Sequence, residues 1–332
     1  MSVAMIPPAA APAFLADAGW GGAEIRPLAG DASFRRYFRV HKGNQHAVLM
    51  DAPPPHEDPR PFIAIAEYLS AIGLSAPRIL HRDLEQGLLL IEDFGDVRMR
   101  ETVDANIASE METYTGVVDV LIKLHQHEPP PALTQQSVAL FLEEVGLFTE
   151  WYCPTVGLSV DAAGYRAAWE AVLTPVMAAL ETPVMVLRDY HAENIMLIEG
   201  GAGTARYGLL DFQDALVGHP AYDLVSMLED ARRDVTPSVE RAMFDHYIAA
   251  MGAGPEFETA YWVLGAQRNT RILGVFSRLW KRDNKPRYRS FQPRMWGLLE
   301  RNLAHPSLGG LKDWFDANVP PEKRAPFWVE FL

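Results

Sequence analysis

The chain has 332 residues, a formal net charge of −13 at pH 7, 48% hydrophobic and 22% charged residues, and a single cysteine, Cys153. That length exceeds what one hydrophobic core usually serves, so two lobes are expected. The acidity argues against nucleic acid as a partner. The lone thiol excludes an internal disulfide or a cysteine-based metal cluster and suits a reducing cytoplasm, and no stretch approaches the ~20 apolar residues of a membrane span.

The N-terminal stretch is apolar but carries Pro7, Pro8 and Pro12 and lacks a basic start, which reads as a flexible lead-in and a short helix, not a signal peptide. A strand over 24–28 is followed by the turn Gly30-Asp31-Ala32-Ser33. From Phe34 to Val40 the pattern has period two, with Phe34, Arg36, Phe38 and Val40 on one face and Arg35, Tyr37 and Arg39 on the other. His41-Lys42-Gly43-Asn44 forms a hairpin turn, and 45–51 is the returning strand. The proline-rich loop 52–61 leads into a helix that runs to about Ile72 and stops at Gly73. A second hairpin pairs 78–82 with 88–93 around Glu85-Gln86-Gly87, giving five strands and one helix in the first ninety-odd residues.

Beyond this point apolar residues recur at spacings of three and four, predicting helices over 107–126, 137–152, 161–181, 221–231, 237–251 and 256–280. Short β-like runs at 184–187, 195–198 and 207–210 interrupt them, the last two flanking the turn Glu199-Gly200-Gly201-Ala202-Gly203. His41, His46 and His56 read as loop residues, and His125 and His127 as residues suited to a helix C-terminus.

The informative segment is Leu187-Arg188-Asp189-Tyr190-His191-Ala192-Glu193-Asn194, followed by Leu210-Asp211-Phe212. Phosphoryl transfer needs a carboxylate to orient the attacking hydroxyl and take its proton, and oxygen ligands for the magnesium that bridges the phosphates. Asp189 suits the first task, Asn194 and Asp211 the second. An isolated Asp-x-x-x-x-Asn is ordinarily a loop that caps itself; the second aspartate after a strand hairpin, in a chain whose first third is rich in strands, favours the chemical reading.

Arg188-Asp189-x-x-x-x-Asn194 resembles the catalytic loop of protein-kinase-like enzymes, and Asp211-Phe212 their metal-binding turn. His191, with Asp211-Phe212-Gln213-Asp214-Ala215 and Gly218-His219-Pro220-Ala221-Tyr222-Asp223-Leu224, is similar to the aminoglycoside phosphotransferase-like branch. The resemblance implies an α+β, bilobal protein-kinase-like fold with a five-stranded antiparallel N-lobe, residues 1–94, for the nucleotide, and a mainly helical C-lobe, residues 95–332, for catalysis and substrate. It implies ATP and Mg2+ as cofactors. Asp223 reads as a structural, buried carboxylate that accepts N–H bonds from the catalytic loop, and His191 as a local hydrogen-bonding residue with no direct chemical role. Adenine is expected near Tyr37, Ile91, Glu92 and Phe94, and phosphates near Ala32, Ser33 and Phe34.

Two departures stand out. The phosphate turn has one glycine, Gly30, and the strand position where such enzymes carry a lysine is Met50, with Glu67 the sole candidate for its helix partner. Arg35 or Arg36 is expected to supply the missing charge; alternatively both are solvated edge-strand residues. The segment Gly30–Tyr37, with Asp51-Ala52-Pro53-Pro54, resembles the bacterial anomeric kinases that phosphorylate N-acetylmuramate and N-acetylglucosamine at C1 in cell-wall recycling. Alternatives are a kinase of another small hydroxyl substrate (choline, homoserine or aminoglycoside) and a nucleotide-binding regulatory pseudokinase. Residues 268–289 hold eight basic side chains and one acid, either a solvated helix face or a cationic wall that favours a neutral or anionic substrate. Candidate sugar contacts are Glu144, Trp151, Tyr152, Arg188, Gln267, Arg268, Asn269 and Arg271, although aromatics at helical spacing are more often core. A cytoplasmic monomer acting on a small sugar and ATP, without nucleic-acid or membrane partner, is expected.

Overall fold

The computed structural model of the chain describes residues 5–30 and 34–324; Ala32 and Ser33 of the expected phosphate turn lie outside them. In chain order the elements are α1 (Ala11–Asp17), β1 (Glu24–Gly30), β2 (Arg36–Lys42), β3 (Gln45–Asp51), α2 (Arg60–Ala71), β4 (Ile79–Asp83), β5 (Leu88–Glu92), α3 (Met99–Ala105), α4 (Glu110–His125), α5 (Val138–Leu147), the single turn α6 (Cys153–Thr155), α7 (Ala162–Ala178), β6 (Val184–Val186), β7 (Ile195–Leu197), β8 (Tyr207–Leu209), β9 (Leu216–Gly218), α8 (Ala221–Leu228), α9 (Pro237–Met251), α10 (Glu256–Lys281), α11 (Gln292–Leu303) and α12 (Gly309–Asn318). They form two compact units, Met1–Ser109 with Glu193–Asp214, and Glu110–Ala192 with Ala215–Leu332.

The first unit is built on a five-stranded antiparallel sheet of order β1-β2-β3-β5-β4. Directly paired residues share a face. The register therefore puts Phe38, Val40, Ala47, Leu49, Leu88 and Leu90 together, and Ala11, Phe14 and Leu15 of α1 seal that face. The opposite face carries Tyr37, Met50 and Leu89 in one row and Arg39, Val48 and Ile91 in the next. The β2–β3 turn is tighter than the sequence suggests. It narrows to Gly43 and Asn44, with Gly43 at φ 58°, so His41 and His46 face each other within the strands instead of in a loop. The β7–β8 hairpin joins this unit through Leu197 N–H to the Val97 carbonyl and Leu209 N–H to the Ser75 carbonyl, both 2.7 Å.

The second unit is mainly helical. α10 is its central element, packing against α5, α8 and α11. β6 pairs antiparallel with β9, Val186 opposite Leu216, a strand too short at three residues to register as a period in the sequence. The helix expected over 137–152 closes as α-helix at Leu147 and continues as a π turn, Phe148–Tyr152. This turn drives Phe148 and Tyr152 into an aromatic cluster with Tyr165, Trp296 and Phe315. Tyr152 is 0% exposed; its hydroxyl donates to the Lys323 carbonyl (2.6 Å) and accepts from Trp296 Nε1 (2.7 Å). It is a core residue, which removes it from the expected sugar contacts. His125 is likewise buried against Tyr247, and desolvation lowers its pKa to about 3, so it is neutral and cannot act as a dipole-favoured cation. Among the described residues no helix is long and apolar enough to cross a membrane.

Gly274 of α10 marks the closest approach to the end of α5: a Cβ there would lie 2.4 Å from the Leu147 carbonyl carbon and 2.6 Å from its oxygen. Backbone cannot yield as a flexible side chain does. Gly274→Ala is expected to cost about 1–3 kcal/mol of stability, measured by urea unfolding; an unchanged midpoint would show that the helix shifts without penalty.

Candidate active site

Asn194 precedes β7 and Asp211 follows β8. The pair Ile195–Leu209 closes that end of the hairpin, and Leu210 N–H adds one more bond to the Asn194 carbonyl at 3.0 Å. The two candidate metal ligands thus stand at the same hairpin end. Asp211 has φ 59°, a left-handed conformation that costs a non-glycine residue about 1–3 kcal/mol. Its neighbours hold it there: Phe212 is buried and stacks on Phe62 of α2 at 4.9 Å, and Gln213 Nε2 donates to Asp211 Oδ1 (2.9 Å) and Asp214 Oδ2 (3.3 Å). A carboxylate and an amide oxygen suit a hard cation such as magnesium.

The alternation of β2 separates its arginines. Arg36 lies on the face of Phe38 and pairs with the buried Asp51 opposite it. Arg39 lies on the other face and is held by Asp93 (2.7 Å) and Asp96 (2.8 Å). Arg35 pairs with Glu57 at 3.0 Å, with side-chain exposures of 12% and 15%. Burial opposes its charge, but Tyr37, Glu57, Asp214 and Asp211 outweigh that cost and raise its pKa. Burial also pushes the Tyr37 hydroxyl up to about 12.

Tyr37 and Ile91 share the face opposite α1, as an adenine-lining pair requires. Glu92 gives its carboxylate to Arg78 (2.9 Å) and its N–H to the Arg78 carbonyl (2.9 Å), while Phe94 packs over Gly208 of β8. Phe34 is 64% exposed and stacks on His56 at 4.9 Å. Met50 is buried between Tyr37 and Leu89, and Glu67 points outward toward Arg82 at 3.8 Å, so β3 and α2 hold no ion pair between these positions.

In the second unit β6 leads into the loop that carries Asp189. Asp223 of α8, fully buried, accepts the N–H groups of Leu187 (2.5 Å) and Arg188 (2.9 Å). Ser226 Oγ donates to the Arg188 carbonyl (3.3 Å), Tyr190 hydroxyl to the Val117 carbonyl (2.8 Å), and Ala192 N–H to Asp230 (3.0 Å). Desolvation, reinforced by Arg232, lowers the pKa of His191 to about 3; it is neutral, with Arg232 donating to its Nε2 at 3.0 Å. Arg188 has φ 69°, a second left-handed non-glycine residue. Asp189 is therefore presented on a loop fixed on both sides.

Glu144 of α5 gathers several of the expected substrate residues. Its carboxylate bonds Arg188, accepts Gln267 Nε2 at 3.0 Å and lies 3.5 Å from Arg271 Nε. Asp189 acts electrostatically on Arg271. Arg268 and Asn269 are committed to Glu229: Arg268 is buried, within the field of Asp189, and donates to the Glu229 carbonyl (3.0 Å), and Asn269 Nδ2 bonds Glu229 (2.6 Å) and Asn302 (2.8 Å). These two serve the interior, correcting the expectation that they face a sugar. Trp151 is half-buried on the π turn. The sequence reading passed over Glu57, Ser226, Asp230 and Arg232, whose partners lie 22 to 41 residues away in the chain and leave no local signature.

A fixed aspartate loop, followed in the chain by a hairpin that carries Asn194 and Asp211, is the arrangement expected of a phosphotransferase with a protein-kinase-like fold. The chain belongs to the phosphotransferase enzyme family, whose profile it matches over residues 24–261, and it is a small-molecule kinase. A protein of Caulobacter vibrioides named N-acetylmuramate/N-acetylglucosamine kinase is 39% identical, covering 95% of this chain and 98% of that one. A protein of the same name from Pseudomonas aeruginosa is 38% identical, covering 88% and 89%. A choline/ethanolamine kinase family protein from Mesorhizobium loti shares the fold with a TM-score of 0.60 at 16% identity, covering 91% of this chain and 98% of that one.

Asp223→Asn keeps one accepting oxygen and sets an amide NH2 against the other of the two backbone donors. It is expected to cost about 1–3 kcal/mol and to lower turnover with it. Thermal unfolding and initial rates check both; a variant as stable and as fast as the parent would show that the loop stands without this carboxylate.

Proposed function

We propose that the chain transfers the γ-phosphoryl group of ATP to the anomeric hydroxyl of N-acetylmuramate, N-acetylglucosamine or both, giving a sugar 1-phosphate for peptidoglycan recycling. The observation that carries this reading is the Asp189 loop, fixed by Asp223 and Asp230 and flanked by Glu144, Arg188 and Arg271, in a chain whose relatives over nearly their whole length bear that name. Asp189 orients the sugar hydroxyl and takes its proton as the new P–O bond forms and ADP leaves. Asn194 and Asp211 would hold magnesium, which supplies charge neutralisation across the phosphates when bound. Tyr37 and Ile91 line the adenine. Glu144, Gln267 and Arg271 orient the sugar, and Arg188 and Arg271 favour the lactyl carboxylate of N-acetylmuramate. The deciding experiment incubates the protein with ATP, magnesium and a panel of amino sugars and identifies the phosphorylated carbon by NMR; phosphorylation at another carbon, or of none of the sugars, would refute the assignment.

Asp189→Asn is expected to lower turnover by ~10²-fold or more while nucleotide binding persists. A variant that keeps a tenth of the parent rate would remove Asp189 from the role of base.

Neutralising Arg271 should narrow the preference for N-acetylmuramate over N-acetylglucosamine by a few-fold, since a partly exposed charge pair contributes roughly 0.2–1 kcal/mol, and the preference should fade with salt. Arg268→Gln, by contrast, should lower stability and reduce kcat/KM for both sugars alike. Equal losses for both sugars in the Arg271 variant would end the carboxylate-reading role.

A further inference from the structure

We propose that Glu57 is a positioning residue of the phosphate site: its carboxylate fixes Arg35, and the pair supplies the triphosphate with the anchored positive charge that β3 lacks at Met50. The inference rests on the reading of the chain as an ATP-dependent kinase. Glu57 Oε1 accepts the Phe34 N–H (3.3 Å) and Oε2 accepts Arg35 Nε (3.0 Å), so one carboxylate grips both the backbone and the side chain of the segment that follows the phosphate turn. The Phe34 ring stacks on His56 next to it, at 4.9 Å and 22°. A guanidinium is a rigid planar fork, so a contact at Nε fixes the direction in which the group presents its charge.

The charge balance points the same way. Asp211 and Asp214 both act on Arg35, which makes it the β2-side arginine in the field of the candidate metal carboxylate. Arg36 is committed to Asp51 on the opposite face, and Arg39 to Asp93 and Asp96. A lone carboxylate at position 57 would repel a triphosphate; paired with Arg35 it instead presents the cation. The ion pair that related kinases place on the third strand and the helix is here shifted to the start of β2 and the loop before α2.

The test uses the full chain and measures binding of ATP with magnesium and of adenosine by calorimetry, with KM for both substrates. Arg35→Ala should weaken ATP by about tenfold or more, the loss expected for a hydrogen-bonded charge. Glu57→Gln should weaken ATP by a smaller factor, about threefold or more. Adenosine affinity and the KM for the sugar should hold in both. Because Glu57 acts through Arg35, adding Glu57→Gln to Arg35→Ala should cost nothing further. If Arg35→Ala does not fold, Arg35→Lys carries the test, keeping the charge but losing the Nε contact, with ATP again weakened and adenosine unchanged. The proposal is overturned if Glu57→Gln weakens adenosine as much as ATP, if its penalty persists without Arg35, or if neither arginine variant alters ATP affinity. A wild-type chain that shows this pattern yet phosphorylates no amino sugar refutes the substrate assignment and leaves the inference standing; one that does not bind ATP refutes both.

Discussion

The N–H groups of Leu187 and Arg188 both end on the carboxylate of Asp223, in a place that water does not reach. β6 stops at Val186, so these donors have left the strand ladder, and the left-handed turn at Arg188 precludes a helical partner. Buried donors without acceptors are expensive. Asp223 removes that cost, and its own burial pushes its pKa up to about 7 against the pull of the same two bonds. The topology makes the contact short: β9 pairs with β6 and runs into α8, which carries Asp223 in its first turn. Loop and anchor are thus delivered by neighbouring strands, and the position of Asp189 follows from theirs.

A simpler constraint governs the first unit. Because residues alternate across a strand, neighbouring arginines on β2 cannot share a task. Arg36 falls on the face sealed by α1, and Arg35, one residue before β2, acts on Tyr37, which lies on the face that carries Ile91 and Met50. An aliphatic residue at Met50 is compatible with phosphate binding only if the charge comes from elsewhere on that face, and the alternation leaves Arg35 and Arg39 for it. Arg39 is held at its far end by Asp93 and Asp96, beside the strand exit.

The period-two run of β2, the hairpins and the long helices were legible because each buries one face and so writes its period into the sequence. The same alternation already separated Arg35 from Arg36; what it could not say was which face α1 would cover. β9, α3, α11 and α12 went unread for a related reason: the first is three residues long, and the others are short helices whose burial depends on distant partners. The site divided in the same way. Asp189, Asn194 and Asp211 carry a local pattern, Asp-x-x-x-x-Asn and then an aspartate at the end of a strand hairpin, whereas Glu57 and Asp230 meet their partners across 22 and 38 residues with no such pattern. Tyr152 and Asn269 were misread because polar atoms suggest a surface, yet here each spends them on other buried groups.

That last point bears on the choice of acceptor. The polar run Gln267-Arg268-Asn269-Thr270 is buried throughout, and its members diverge around the helix. Gln267 and, one turn on, Arg271 meet Glu144, while Arg268 and Asn269 meet Glu229. The cationic wall suggested by composition is therefore thinner than eight basic residues imply. Around Asp189 it comes down to Arg188, Arg268 and Arg271, and Glu144 stands against the first and the last. Three cations among the carboxylates of Glu144, Asp189 and Asp230 give a nearly balanced local field. Such a field admits a neutral sugar without penalty and rewards a single carboxylate only modestly, because Glu144 already competes for the same guanidinium groups. Long-range repulsion of a polycationic molecule by these groups is correspondingly weak, and salt would screen it in any case.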